Sequence, residues 1–424
     1  MKDSSPNIRV SFDASVLAAA QVNPHARTGV FRVTDRLARF LLQRDDIDLN
    51  WIVSGNTDVL PELVQLIQDD PSLKRPIQAS LRRRKCIAQA KKIFDYLAAK
   101  GLQSQLHWLT SSLASMQSNS TFSACAVSEA DILHSPYHAL PELDQSPKRP
   151  IGFLTVHDLI PIRFPEWFAV GAKQRLLKAL ASLTPDDWVL CISESTRIDL
   201  LNHLPDLNQE QIRVTPLAAD SRFQQCNDVS TNTKTRLKYG IPPDCKYFLS
   251  VCTLEPRKNL RHLVSVFNEA RSNFDSDTRL ILAGAKGWEI DELLESLTDT
   301  ERNQIVVTGY VDDADLSPLY SNAIAFIYPS LYEGFGLPPL EAMQCGTPVI
   351  AADNSSLPEV IGDAGILVPA NDADELADAM TRVFQDASLR AKMSSAGIQR
   401  ASQFSWQRCG NLTVQAYQDA LRQR

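Results

Sequence analysis

The chain has 424 residues, enough for two or three domains with sizeable cores and too many for a minimal single-core module. Hydrophobic residues make up 44% and charged residues 22%, and 43 Lys+Arg against 50 Asp+Glu leave a net charge of -7. That composition excludes a disordered chain and carries no nucleic-acid footprint.

The eight cysteines never fall in a Cys-x-x-Cys pair, and the closest two, Cys245 and Cys252, have no histidine ligands beside them. Neither a zinc site nor a disulfide framework is expected. Asp13 interrupts the only early apolar stretch before it reaches signal-peptide length, and nothing later approaches the ~20 apolar residues of a membrane span. A soluble, reduced, cytoplasmic protein is the expectation.

Short β-branched runs alternate with longer amphipathic stretches along the chain, which predicts parallel sheets covered by helices and an α/β fold class. Strands are expected near residues 8–12, 49–53, 132–134, 152–156, 189–193 and 212–216. A second set is expected near 247–252, 279–283, 304–308, 323–328, 348–351 and 366–368. Between the sets, CNDVSTNTKT at 226–235 is polar, has no apolar periodicity and has the composition of a linker. The domain boundary is placed there, giving 1–225 and 226–404, each with its own doubly wound sheet. Ligands of such sheets bind beyond the carboxyl ends of the strands, so two facing sheets imply a cleft.

One segment departs from the acidic trend. Residues 81–100, LRRRKCIAQAKKIFDYLAAK, set seven basic residues against Asp95 alone, with apolar residues that can share a helical stripe. It reads either as an interfacial helix on an anionic membrane or as a surface helix with one solvated basic face.

The most specific stretch is YPSLYEGFGLPPLEAMQCG, residues 328–346, which follows the apolar run AIAFI. Gly334 and Gly336 permit a turn close to a ligand, and Pro338 and Pro339 suit a helix start whose free N–H groups attract phosphate or sugar oxygens. Glu333 before the helix and Glu341, expected in its first turn, are carboxylates that can each bind a vicinal diol. SVCTLEPRKNL, residues 250–260, carries Arg257 and Lys258 at a strand's carboxyl end, where neighbouring cations suit a diphosphate. Asn259 is expected to cap the next helix. In TVHDLIPIRFPEW, His157 and Asp158 follow an apolar strand; the histidine can serve a sugar hydroxyl, and the aspartate can orient it or make a local Asx turn. Gly29 and Arg27 stand in HARTGVFRV between the first strand and its helix, with Arg32 expected on the helix surface. Ser193 or Ser195 in CISESTRIDL, and Ser405 before the last helix, are candidate N-caps.

Glu333 to Glu341 resembles the paired-glutamate motif of the retaining GT-B glycosyltransferases of the family 4 type, and the likeness extends over nearly the whole chain. It implies two facing Rossmann-like domains, with the last helix, 405–424, packing back on the first. It implies that Glu341 binds the ribose of a nucleotide and that Glu333 sits by the donor sugar. Gly334, Phe335, Gly336 and Leu337 would hold sugar and diphosphate, with Gly29 close to the donor phosphate. Arg257 and Lys258 match the family's phosphate-binding pair, and His157 its cleft histidine. The implied reaction transfers a hexosyl group from a nucleotide diphosphate sugar to a saccharide or lipid-linked saccharide, with no metal or other cofactor. GDP-mannose is the first reading of the donor, by likeness of HDLIP to bacterial polysaccharide mannosyltransferases, and a UDP-sugar the second. The competing classes are a non-catalytic nucleotide-sugar-binding protein and a nucleotide-sugar epimerase of the same fold. A nicotinamide dehydrogenase is disfavoured because no GxGxxG follows a strand.

Overall fold

Strands buried on both faces read as continuous apolar runs, and several of the twelve strands among the described residues, such as Trp188–Cys191 and Val349–Ala352, are written that way. A computed structural model describes residues 7–22, 29–53, 59–75, 129–141, 149–253, 255–284 and 290–424. Arg27 and the basic segment 81–100 lie outside these.

Six strands form the first sheet: β1 (Ile8–Asp13), β2 (Ile47–Ile52), β3 (Ile132–Ser135), β4 (Ile151–Val156), β5 (Trp188–Cys191) and β6 (Ile212–Val214). They pair in parallel in the order β2-β1-β3-β4-β5-β6. The second sheet comprises β7 (Tyr247–Val251), β8 (Arg279–Ala283), β9 (Ile305–Gly309), β10 (Ala325–Tyr328), β11 (Val349–Ala352) and β12 (Ile366–Val368). Its order, β12-β11-β10-β7-β8-β9, is also parallel throughout. Alternation along each strand feeds two cores: Ile151 and Phe153 of β4 enter one cluster with Trp51 and Trp188, while Leu154 and Val156 enter another with Leu180 and Leu200.

The stretch read as a linker behaves differently. Val229–Lys238 is a helix, capped by the Asp228 carboxylate accepting from the Thr231 amide. Its C-terminal Lys238 pairs with Asp312 and Asp315 at 2.6 Å, so the helix is tied to Asp313–Ser321 of the second half. An N-cap and cationic last turn outweigh the weak apolar pattern.

The last helix, Trp406–Gln423, is capped by Ser405, whose hydroxyl accepts from the Arg408 amide. It returns to the first sheet, where Val414, Ala416, Tyr417 and Ala420 join the core of β1, β3 and β4. Fully burying a large apolar side chain is worth about 1.5–3 kcal/mol, so this face anchors the helix. His134, fully buried on β3, links its ring nitrogens to the Tyr417 hydroxyl at 2.5 Å and the Thr155 hydroxyl at 2.8 Å.

Candidate active site

The strand order of the second sheet reverses between β7 and β10, and the loops after these two strands meet. Such a reversal opens a crevice at the strands' carboxyl ends. β7 runs into the single turn Pro256–Lys258, and β10 into the loop before the helix Leu337–Gln344. The Leu331 amide donates to the Arg257 carbonyl at 2.8 Å, locking one loop to the other.

This brings Arg257, Lys258 and Glu333 together. Glu333 Oε1 accepts from Lys258 Nζ at 2.5 Å, the Tyr328 hydroxyl at 2.8 Å and the Ser330 hydroxyl at 2.6 Å. Its Oε2 accepts from Arg257 Nη1 at 3.0 Å. Lys258 is 6% and Glu333 8% exposed, so each charge survives burial only through its partners. Burial alone would raise the Glu333 carboxyl, but Lys258 and Arg257 hold it down at about 2. Burial and the neighbouring Arg257 draw Lys258 below its ordinary value. Two cations face the one buried carboxylate of Glu333, and Glu255 pairs with Arg257 at 3.1 Å on the outer side, so the charges of the cluster balance. Lys258 spends two of its three N–H donors here, and Arg257 spends Nε on Glu255 and Nη1 on Glu333 and the Tyr332 carbonyl.

Gly336 sits at φ 112, a left-handed conformation suited to glycine, and starts the helix at Leu337. Glu341 therefore lies in the second turn, not the first, and its backbone position does not serve the helix N-terminus. Its carboxylate is 4% exposed and accepts from the Tyr320 hydroxyl at 3.1 Å and Arg32 Nη1 at 3.2 Å. Burial pushes it up to about 7, opposed first by Arg32 and then by Tyr320. A small cavity beside it is lined by Arg32, Arg36, Asp220, Leu337, Glu341 and Trp406. The buried Trp406 Nε1–H has no acceptor among the described residues.

The first half meets the glycine turn directly. The Gly334 carbonyl accepts from the Ser193 hydroxyl at 2.7 Å, and Ser193 also caps Glu194–His203. A β-carbon on Gly334 would lie 2.6 Å from the His157 carbonyl and 2.9 Å from Asp158 Cβ, so only glycine fits this approach. His157 Nε2 bonds the Pro136 carbonyl at 2.8 Å; because a carbonyl only accepts, Nε2 carries the proton and Nδ1 is left as an acceptor. Desolvation lowers this imidazole to about 4. Asp158 does not orient the ring: its Oδ1 accepts from the Ile160 amide at 3.0 Å in a local turn. Gly29 opens the helix Gly29–Leu42, and a β-carbon there would meet Leu337 at 3.9 Å. Phe335 turns its ring inward against Phe404, at 5.9 Å between centroids, so only its backbone faces the turn.

Two residues depart from their sequence assignments. Asn259 holds the N-cap position at φ 58 but makes no side-chain cap; its amide donates to the Ala370 carbonyl at 2.8 Å. Arg32 is half-buried on its helix, with a third of its side chain exposed and its guanidinium engaged. It crosses to the second half, donating to Glu341 and, through Nη2 at 2.8 Å, to Asp313. Glu359 went unnoticed in the sequence: its carboxylate accepts from the Glu194 and Ser195 amides, at 2.8 and 3.0 Å, against the positive end of a helix in the other half. Tyr328 and Ser330 were visible only as part of the motif's flank.

Two parallel α/β sheets meeting at a cleft, with cations and carboxylates at strand ends, define a two-domain α/β enzyme class with known relatives. Among solved structures, HepE of Anabaena in complex with UDP and glucose superposes with a TM-score of 0.65 at 16% identity, covering 97% of this chain and 100% of that one. At that identity the likeness concerns the fold, which is GT-B. Residues 231–400 match the family described as glycosyl transferases group 1. The chain is 35% identical over 289 residues to O-antigen chain mannosyltransferase B of Escherichia coli, spanning 68% of this chain and 74% of that protein. A serotype-specific mannosyltransferase, WbdA of Escherichia coli, is 27% identical over 267 residues, 62% of this chain, and the match spans 32% of WbdA. The chain belongs to the glycosyl transferases group 1 family and is a glycosyltransferase.

Proposed function

We propose that the protein transfers a mannosyl group, with retention of configuration, from GDP-mannose to a saccharide or lipid-linked saccharide of a bacterial surface polysaccharide. The observation that carries this reading is the buried Arg257–Glu333–Lys258 cluster beside the glycine turn. It is a preformed site at the strand ends whose two cations keep N–H donors uncommitted to Glu333 and Glu255, and those donors suit a diphosphate. The mannosyltransferase relatives support the choice of sugar.

In this reading the Glu341 carboxylate accepts from the ribose hydroxyls, and the amides at the start of Leu337–Gln344 meet the phosphates. The anomeric C–O bond to the diphosphate breaks as its negative charge grows, and Arg257 and Lys258 stabilise that charge. The acceptor oxygen bonds the anomeric carbon on the same face, and its proton passes to the departing phosphate oxygen. Glu333 holds the two cations in place and shares the site with the sugar. Neutral His157, its Nε2–H fixed on Pro136, presents Nδ1 as an acceptor for a sugar hydroxyl. The residues supply the counter-charge themselves, so transfer is expected to persist in excess EDTA. Complete loss in EDTA, restored by Mg²⁺ or Mn²⁺, would contradict that.

A calorimetric panel of nucleotide sugars, followed by mass spectrometry of candidate acceptors, tests the donor. Tighter binding and turnover of GDP-mannose over UDP-sugars is expected; turnover with UDP-sugars alone would replace it. A lipid-linked acceptor would further bring the chain to an anionic membrane face, for which the basic sequence 81–100 is suited. Co-sedimentation with anionic liposomes that falls with salt is then expected, and no sedimentation at low salt would remove this part of the reading.

A further inference from the structure

One contact in the cleft has no assigned role: the guanidinium of Arg32, which comes from the first half and lands on Glu341, 309 residues away in sequence. It is built into place. Arg32 Nη2 is held by Asp313 Oδ1 at 2.8 Å, and Asp313 Oδ2 accepts from Arg222 Nη1 at 2.9 Å. One turn on, Arg36 pairs with Asp220, which also accepts from the Arg222 amide at 3.0 Å. Arg32 and Arg36 thus stand as adjacent helical rungs over the cavity that Glu341, Asp220 and Leu337 line from the far side. Nη1 of Arg32 is left to point at Glu341 Oε1, while the Tyr320 hydroxyl takes Oε2.

We propose that Arg32 is a positioning residue for donor binding: it holds Glu341 as an ionised, correctly turned acceptor for the ribose diol of a nucleoside diphosphate, from across the cleft. The proposal rests on the reading of Glu341 as the ribose acceptor. Its physical consequence is that the nucleotide site is completed only when the two halves are together. The second half contributes the carboxylate, and the first half contributes the charge that favours its ionised form against burial.

The proposal predicts a characteristic pH response. Glu341 is the group near neutrality at this position, raised to about 7 by burial with Arg32 opposing the rise. The charged or titratable groups facing it are Arg32 and Arg36 from one helix, Asp220 and Arg222 from the segment between β6 and the helix Val229–Lys238, and Asp313 and Tyr320 from the helix beside it. Cys345 directly follows the helix that carries Glu341. Burial drives Tyr320 well above its ordinary value and Cys345 to about 12, so neither titrates between pH 6 and 9. Against the pull of burial, the Arg222 amide and guanidinium keep Asp220 below its ordinary value.

The test is GDP binding by calorimetry across pH 6–9 in the full chain, for wild type, Arg32→Ala, Arg32→Lys, Glu341→Gln and the double variant Arg32→Ala/Glu341→Gln. Glu341→Gln supplies the reference that cancels the nucleotide's own phosphate titration. Wild-type affinity relative to this reference is expected to rise with pH through about 7. In Arg32→Ala the same rise should be displaced to higher pH, giving a loss of roughly tenfold at pH 7 that shrinks at pH 9. Arg32→Lys should restore most of it. In the Glu341→Gln background Arg32→Ala should cost nothing further. 2′-Deoxy-GDP, which keeps one of the two hydroxyls, should show a smaller difference between wild type and Arg32→Ala than GDP does. A uniform loss at every pH, or full loss persisting in the Glu341→Gln background, would reduce Arg32 to a structural contact and overturn the proposal. Unchanged GDP binding in Arg32→Ala with weakened binding in Glu341→Gln would overturn it while sparing the ribose reading. Unchanged binding in Glu341→Gln would remove the ribose reading itself.

Discussion

At the scale of single residues, the chemistry turns on two cations sharing one carboxylate. Lys258→Ala or Arg257→Ala should each reduce turnover by about 10² or more, because each removes charge stabilisation that grows as the diphosphate leaves. Wild-type turnover in both would exclude the pair. The burial of Lys258 adds a cost that its place in a basic turn does not suggest: Lys258→Ala strips Glu333 Oε1 of its closest cation, so denaturant unfolding should show a loss of about 3 kcal/mol. Glu341→Ala should weaken GDP binding by about 1.5–3 kcal/mol in calorimetry, and equal binding would remove its role. The motif residues were legible because glycines, prolines and carboxylates of one short stretch meet in one loop. Arg32 was not, since the charge it serves is remote in sequence, and helical position alone leaves an arginine at a helix start facing solvent. Asn259 misled for a related reason: asparagine tolerates left-handed backbone, and here its amide found a carbonyl elsewhere rather than the helix end.

At the scale of elements, the strands were readable and the polar connections were not. Each of the twelve apolar runs became a parallel strand, whereas 226–235 looked like linker because a short surface helix needs only a cap and tertiary ion pairs. The last helix shows what pins an element to a distant sheet. His134 is lowered to about 3 by complete burial, from an ordinary 6.5, with the nearby His157 adding slightly. The unfolded chain therefore binds a proton that the folded chain refuses between those values. Its contribution to stability is fully present above pH 6.5 and is lost on acidification toward 3, by at most about 1.4 kcal/mol per pH unit. Denaturant titrations at pH 7 and pH 5 should show this fall, and equal stability at both would contradict it. Tyr417→Phe, which leaves a buried ring nitrogen of His134 unpaired, should cost about 1–3 kcal/mol at neutral pH. A neutral effect would mean that the helix is held by apolar burial alone.

At the scale of the whole molecule, the cleft is closed by polar contacts that join the halves. Ser193 meets the Gly334 carbonyl, Glu359 caps Glu194–His203, and Tyr332 donates to Asp199 at 2.6 Å while its ring lies under Arg163. The two-sheet architecture was legible from strand count and alternation. These contacts were not, because each joins residues that look like ordinary loop or helix polar groups until both sheets are placed. Gly334→Ala should therefore lower turnover at least tenfold by forcing the glycine turn away from His157, and should weaken GDP binding with it, since the same turn leads into the helix start that meets the phosphates. Wild-type turnover would mean that this close approach is dispensable. The central claim is retaining mannosyl transfer from GDP-mannose, and proton NMR of a reaction with a mannose-terminated oligosaccharide acceptor tests it most directly. GDP release matched by a new α-linked mannosyl signal is the predicted result; a β-linked product, or no transfer from GDP-mannose when another nucleotide sugar turns over, would contradict it.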